Sequence, residues 1–133
     1  MLEQIAEKYY KQGYNCAESV LRAGNEYYQL GLDENAIHAF AGFGGGLHCG
    51  DVCGALTGAI GALSAKYVTS KAHDFPHMKA YTNRLIEEFE ILAGARDCAV
   101  VKPLLYTVEN KCLATVKVGA KALENVIQEF ENA

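Results

Sequence analysis

The sequence predicts an all-α fold, a single-domain bundle of about six or seven helices with a glycine-rich loop before its central helix. Apolar residues recur at three- and four-residue intervals through most of the chain, which is the period of a helix. No segment shows the convincing period-two alternation of a half-buried strand. At 133 residues the chain is long enough to bury one hydrophobic core, so we expect a single domain over residues 1–133.

The first half of the chain opens with three predicted helices. A short amphipathic helix comes first. Asn15 and Glu18 then have the spacing of a capping box, which makes Cys16 the first residue of the second helix. Gly31 is expected to end that helix, and Asp33 starts a short third one that reaches Phe40.

The central helix is predicted to run from about Asp51 to Tyr67. Asp51 is expected to cap it, which would place Cys53 in its first turn. Each glycine inside a helix costs up to about 1 kcal/mol relative to alanine, so several glycines indicate close approach of a neighbouring group. The helix carries three such residues: Gly54, Gly58 and Gly61.

The sequence pattern of the second half of the chain predicts three more helices. One begins at Asp74, and Asp97 caps a short helix that holds Cys98. The last helix runs from about Glu109 to Phe130, with Cys112 on its buried stripe.

Composition and charge exclude several function classes. Half of the residues are hydrophobic and 21% are charged, as in an ordinary globular protein. The net charge is −4 and the basic residues are scattered, which argues against nucleic-acid binding. No apolar run reaches the roughly 18 residues that a membrane span needs, and the first residues lack the pattern of a signal peptide. We therefore expect a cytoplasmic protein that binds neither nucleic acid nor membrane.

The cysteines are the unusual feature of the composition. An odd number of cysteines without an export signal argues against a disulfide framework and favours metal binding or redox chemistry. A thiol in the first turn of the central helix would also feel the positive end of the helix dipole, which favours its thiolate. The five are Cys16, Cys49, Cys53, Cys98 and Cys112.

The residues alone leave three interpretations of these thiols open. Four convergent thiolates would suit zinc, iron or an iron–sulfur cluster. Two thiols would suit a dithiol–disulfide couple. Free cysteines also pack as small buried hydrophobes. The separations are long and no Cys-x-x-Cys spacing occurs, so spacing does not choose among the three.

The order of glycines and cysteines resembles that of the C-GCAxxG-C-C family, described as redox-active. The resemblance covers nearly the whole chain and implies a helical redox domain over residues 1–133. It also implies kinship with the iron–sulfur domain of split-Soret cytochromes. The matching segments are Tyr14–Val20, Gly42–Gly46 and Cys53–Gly58, followed by Cys98 and Cys112.

The resemblance implies a redox site built from the family's four cysteines. It favours an iron–sulfur cluster, for electron transfer or redox sensing, over zinc. We expect the glycine loop to act as a lid that brings N–H groups to the cofactor. The expected metal ligands are Cys16, Cys53, Cys98 and Cys112, and the cofactor-binding loop residues are Gly44, Gly45 and Gly46.

The chain departs from the family pattern at Cys49, which is not one of the four cysteines. Cys49 could be a spare ligand, a resolving thiol or an idle residue, so one alternative is a metal-free thiol–disulfide couple of Cys49 and Cys53. The other alternative is a structural zinc module with four cysteine ligands. The chain lacks the Cys-x-x-Cys-His haem attachment sequence, so the cytochrome part of its relatives' function does not transfer.

The expected partner is a redox protein that the sequence does not identify. No set of general acids and bases accompanies the thiols, which favours electron transfer or sensing over turnover of a substrate. Tyrosines are frequent near the N-terminus, where they suit either the core or the surface of a homodimer.

Overall fold

The computed structural model describes residues 1–133 and confirms the predicted all-α single-domain fold. It contains seven α-helices and no β-strand, and none of the helices is long and apolar enough to cross a membrane. The helices are α1 (Leu2–Lys11), α2 (Cys16–Tyr28), α3 (Glu34–His38), α4 (Gly54–Tyr67), α5 (Met78–Ala93), α6 (Cys98–Leu105) and α7 (Leu113–Glu131).

The predicted starts of α2 and α3 are confirmed. The Asn15 side chain accepts a hydrogen bond from the Glu18 N–H at 3.0 Å, and the Glu18 carboxylate accepts one from the Asn15 N–H at 3.1 Å. This reciprocal pair satisfies two backbone donors at the helix end and fixes Cys16 as the first residue of α2. Asp33 caps α3 through the Ala36 N–H at 2.9 Å, but the helix ends at His38, before Phe40.

Helix α4 lies at the centre of the bundle, packed between α2, α5 and α7. Its smooth surface allows this packing. A methyl group on Gly58 would overlap the backbone of Ala17 in α2. On the other side, a methyl group on Gly119 of α7 would lie 2.8 Å from the Cβ of Ala55. Close approach of a neighbouring group, which the sequence predicts for the glycines of α4, is therefore found at Gly58, where that group is helix α2.

The start of α4 differs from the prediction. Asp51 is not its cap, because the Asp51 carboxylate accepts a hydrogen bond from the N–H of its neighbour Val52 at 2.8 Å. The backbone around Val52 is extended and pairs with Asp97. Cys53 consequently occupies the N-cap position and not the first turn.

The starts of α5 and α7 also lie later than predicted. Asp74 belongs to a separate 3₁₀ turn, where its carboxylate accepts a hydrogen bond from Ser70 at 2.6 Å, so α5 begins only at Met78. Before α7, the backbones of Thr107 and Lys111 pair with each other, and Lys111 takes the left-handed conformation (φ +54°). This turn delays the helix and leaves Cys112 at its N-cap, not on its buried stripe.

Candidate cysteine site

Four of the five cysteines line one small cavity, which we call the cysteine cavity. Its volume is about 60 Å³. The lining residues are Cys16, Cys53, Cys98 and Cys112, together with Gly45, Val101, Lys102 and Thr115. The structure thus brings together the four cysteines that the family resemblance singles out.

Each cysteine of the cavity stands at the N-terminus of a different helix. Cys16 and Cys98 are the first residues of α2 and α6, and Cys53 and Cys112 are the N-caps of α4 and α7. A helix N-terminus presents free N–H groups and the positive end of the helix dipole. Four such ends around one cavity form a setting that suits negatively charged sulfur.

A short antiparallel pairing of the backbone places two of these helix ends side by side. The Cys53 N–H donates to the Arg96 carbonyl at 2.7 Å, and the Cys98 N–H donates to the Asp51 carbonyl at 2.7 Å. These bonds join the segment before α4 to the segment before α6. They explain both the extended backbone around Val52 and the meeting of Cys53 with Cys98.

Burial keeps three of the cavity's four thiols protonated. It raises the pKa values of Cys16, Cys53 and Cys112 above the ordinary range, that of Cys53 to about 12. Repulsion from the other cysteines of the cavity adds to this rise.

The expectation that Cys53 exists as a thiolate is therefore wrong for the metal-free protein, because burial outweighs the helix dipole. A dipole contributes typically about 0.3–1 kcal/mol, whereas a pKa near 12 amounts to roughly 4 kcal/mol against ionisation. Cys53 is only 3% exposed, so the cost of desolvating its charge dominates.

Backbone N–H groups nevertheless face the sulfur atoms. The N–H groups of Gly45 and Ala17 interact with the Cys16 sulfur, and those of Ala55 and Leu56 interact with the Cys53 sulfur. Each interaction lowers the pKa of the thiol concerned and offsets part of the effect of burial. These donors favour a thiolate once something else compensates the charge.

The glycine loop contacts the cavity through only one of its three predicted residues. Gly45 lines the cavity and has a positive φ of +61°. Gly44 does not line the cavity, and its φ of −64° is one that any residue can adopt. A methyl group on Gly44 would lie 2.6 Å from the Asn15 Nδ2 atom, so this glycine serves the packing of the α2 cap.

The left-handed conformation extends beyond the glycines. Gly45 and Gly46 are followed by Leu47 and His48, with φ values of +59° and +57°. We call residues 45–48 the left-handed loop. Side chains larger than glycine disfavour this conformation by about 1–2 kcal/mol per residue, so no sequence signal predicted it for Leu47 and His48.

Gly46 fastens the left-handed loop to the site. A methyl group there would lie 2.6 Å from the Cys98 Cβ atom and 2.7 Å from the Asp51 nitrogen. The Gly46 carbonyl also accepts a hydrogen bond from the Asp51 N–H at 2.8 Å. The loop is therefore packed directly against the segment that holds Cys98.

Cys49 does not reach the cysteine cavity. It is exposed and its thiol faces the Gly46 carbonyl at 3.6 Å, whereas Cys53 is buried in the cavity. The pairing of Cys49 with Cys53 as a dithiol couple stays a prediction.

An open groove adjoins the cysteine cavity on the outside of α6. Its volume is about 510 Å³, and it shares Gly45, Cys98 and Lys102 with the cavity. Cys98 is thus the thiol that lies between the cavity and the groove. The Lys102 ammonium also lowers the pKa of Cys112, against the larger effect of burial.

Sequence reasoning missed several residues that shape the site, among them Lys102, Thr115 and Tyr10. Thr115 lines the cavity three residues after Cys112, a spacing that helical periodicity could have revealed. The Tyr10 hydroxyl accepts a hydrogen bond from the Cys112 N–H at 3.1 Å. Tyr10 lies 102 positions from Cys112, and no local signal links the two.

The chemistry of the donor set fits a soft metal or an iron–sulfur cluster. The cavity offers four sulfur donors and no carboxylate or imidazole, and thiolates are the ligands of zinc, copper(I) and iron–sulfur clusters. No three His, Cys, Asp or Glu side chains stand in an arrangement that would hold a metal ion directly. Any ligation would therefore require the thiols to be rearranged and deprotonated.

Comparison with known proteins agrees with this site. A search of curated proteins and a search of solved structures found no match. A family model described as "Putative redox-active protein (C_GCAxxG_C_C)" matches residues 14–126, which include all four cysteines of the cavity. The chain therefore belongs to the C_GCAxxG_C_C family.

Proposed function

We propose that the four cysteines of the cavity ligate an iron–sulfur cluster and that the protein serves electron transfer or redox sensing. One observation carries this proposal: thiols from four separate helix N-termini meet in one buried cavity. The proposed ligands are Cys16, Cys53, Cys98 and Cys112.

The residues around the cysteine cavity would stabilise the negative charge of the four thiolate ligands. The four helix ends stabilise it electrostatically. The N–H groups of Gly45, Ala17, Ala55 and Leu56 face two of the sulfur atoms, and hydrogen bonds to sulfur are among the factors that set a cluster's reduction potential. When bound, the cluster would supply one-electron redox chemistry, which thiols alone do not.

Loading would release protons and enlarge the cavity. Burial keeps three of the thiols protonated near neutral pH, so each must give up a proton to become a ligand. The wall of the cavity that also borders the groove is formed by Gly45, Cys98 and Lys102, and Gly45 and Lys102 are exposed. We propose this wall as the side from which the site is loaded.

The small volume of the cavity favours a second candidate, a single zinc ion held for structure. A tetrahedral zinc site needs four sulfur atoms at about 2.3 Å from one ion. A single zinc ion occupies less space than an iron–sulfur cluster. In that case the cysteines would stabilise the meeting of α2, α4, α6 and α7 and carry no electrons.

The test is anaerobic purification followed by visible absorbance and analysis of iron, sulfide and zinc. We expect charge-transfer bands with matched iron and sulfide in the wild type. Cys53→Ser should abolish the bands, because it removes a buried ligand. Cys49→Ser is the matched control and should retain them, because Cys49 lies outside the cavity.

Two other outcomes would overturn the proposal. A colourless protein with one zinc per chain, lost in Cys53→Ser, would make the site structural. A colourless and metal-free protein that fails reconstitution and loses two thiols on mild oxidation would assign the chemistry to a thiol–disulfide couple.

We also propose a cytoplasmic location and a redox partner protein. All five cysteines are free thiols, a state that a reducing compartment preserves. Electron transfer requires a second protein that donates or accepts the electron.

A further inference from the structure

The Tyr10 side chain connects α1 to the cysteine cavity. Its hydroxyl oxygen accepts a hydrogen bond from the Cys112 N–H at 3.1 Å, in a half-buried position. The Tyr10 hydroxyl is also within side-chain hydrogen-bonding reach of the Cys112 thiol, a contact that lowers the pKa of that thiol against the larger effect of burial.

The Cys112 sulfur can therefore accept the hydroxyl hydrogen of Tyr10. A phenol can accept and donate at the same time. The Cys112 N–H already donates to Tyr10, so it does not donate to the Cys112 sulfur. The neighbouring Cys16 sulfur differs, because the backbone N–H groups of Ala17 and Gly45 approach it.

We propose that Tyr10 is a positioning residue of the cysteine site. Its oxygen holds the backbone at the start of α7, and its hydroxyl hydrogen bonds to the Cys112 sulfur when that sulfur is a thiolate. The contact of Tyr10 with Cys112 stands on the hydrogen bond alone, whereas its effect on a bound metal or cluster rests on the proposed function.

Tyr10 lies outside residues 14–126, the part of the chain that the family model matches. Helix α1 thus contributes to the site a residue that the family signature does not contain. Charge-assisted hydrogen bonds to sulfur are short and strong, and partners of this kind typically change metal affinity about 10–100-fold when they are removed.

The first experiment uses the reduced, metal-free protein and compares Tyr10→Phe with Tyr9→Phe. Tyr9 is a matched control on the same helix, because its hydroxyl donates to Glu26 at 2.6 Å and its loss also removes one hydrogen bond. We expect iodoacetamide to alkylate Cys112 about fivefold more slowly in Tyr10→Phe, the factor for a hydrogen bond worth about 1 kcal/mol. Tyr9→Phe should leave the rate at Cys112 unchanged.

The second experiment titrates the same proteins with cobalt(II), whose thiolate charge-transfer bands report binding. Tyr10→Phe should bind cobalt at least about tenfold more weakly than the wild type, and Tyr9→Phe should bind equally. Hydrogen exchange at the Cys112 amide should be faster in Tyr10→Phe, because its acceptor is gone.

The outcomes separate the two proposals. Equal alkylation rates at Cys112 in all three proteins would overturn the role of Tyr10. If no variant binds cobalt but the alkylation rate at Cys112 still falls in Tyr10→Phe, the metal site fails and the contact of Tyr10 with the sulfur stands.

Discussion

Cys49 and Cys53 lie four residues apart and occupy opposite environments. Cys53 is 3% exposed, caps α4 and faces three other cysteines from distant parts of the chain. Cys49 is exposed at the end of the left-handed loop and faces only a carbonyl group of that loop. Proximity in sequence therefore does not define the site, whereas the meeting of helix ends does.

The contrast shows which backbone features place a cysteine in the cavity and which leave it outside. The segment before α4 is extended because Cys53 and Cys98 each donate a backbone hydrogen bond across to the other segment. That pairing turns Cys53 inward, and the left-handed loop leaves Cys49 outside. The same short stretch of chain thus delivers one cysteine to the cavity and one to solvent.

The largest expected difference between these two cysteines is in alkylation. With a pKa of about 12, the Cys53 thiolate is roughly a thousandfold rarer near neutral pH than that of an ordinary cysteine. We expect iodoacetamide to label Cys49 at least about a hundredfold faster than Cys53 in the native, reduced protein. Peptide mass spectrometry after timed quenching measures both rates, and similar rates would show that the cavity opens readily.

The second prediction concerns a substitution, Gly58→Ala, that disturbs the packing around Cys53. In Gly58→Ala the added methyl would overlap the carbonyl of Ala17, the residue after Cys16, and push α2 from α4. The gain in helix propensity is about 1 kcal/mol, and overpacking costs more. We expect a net loss of about 2 kcal/mol, which lowers the melting midpoint by roughly 7 °C, together with faster alkylation of Cys53.

Gly42→Ala is the matched control for that substitution. A methyl group on Gly42 would meet nothing within 4 Å, so the melting midpoint should be nearly unchanged. If Gly58→Ala melted at the wild-type temperature, close helix contact would not explain the glycines of α4.

The third prediction concerns the pH dependence of the metal-free protein. A thiol with a raised pKa binds its proton more tightly in the folded state, so its stabilising effect is complete below the unfolded pKa and is lost as pH rises. Between pH 9 and 10, Cys53 alone should remove about 1 kcal/mol from the free energy of unfolding. Urea unfolding at pH 8, 9 and 10 under reductant measures this slope.

One variant assigns this slope to Cys53. Cys53→Ala should reduce the slope by nearly one proton per pH unit between pH 9 and 10. Identical slopes in Cys53→Ala and the wild type would show that Cys53 ionises as easily in the folded protein as in the unfolded one.

Much of the fold was predictable because its signals are local. The capping box at Asn15 and the cap at Asp33 depend on residues three apart, and both are present. The late starts of α5 and α7 were not predictable in this way. They follow from a 3₁₀ turn at Ala72–Asp74 and a backbone pairing of Thr107 with Lys111, which compete with helix formation without a clear sequence signal.

The candidate site was predictable in its cysteines and not in its surroundings. The family's order of cysteines pointed to the four that share the cavity. The protonation of Cys53 depends on burial by distant helices, which the sequence around it does not contain. Tyr10 reaches Cys112 only through the packing of α1 against α7.

The smallest expected effect concerns the backbone that separates Cys49 from the cavity. Leu47 takes a φ of +59° and is 41% exposed. In Leu47→Gly, relief of the left-handed conformation gains about 1–2 kcal/mol, which the greater freedom of glycine in the unfolded chain and the lost contacts largely offset. We expect a net gain of about 0.5 kcal/mol in the free energy of unfolding, measured with urea.

Lys71→Gly is the control, at an exposed position with φ −126°. This variant should instead lose about 0.5 kcal/mol of unfolding free energy. If both variants lost stability equally, the packing of the Leu47 side chain would outweigh the conformation of its backbone.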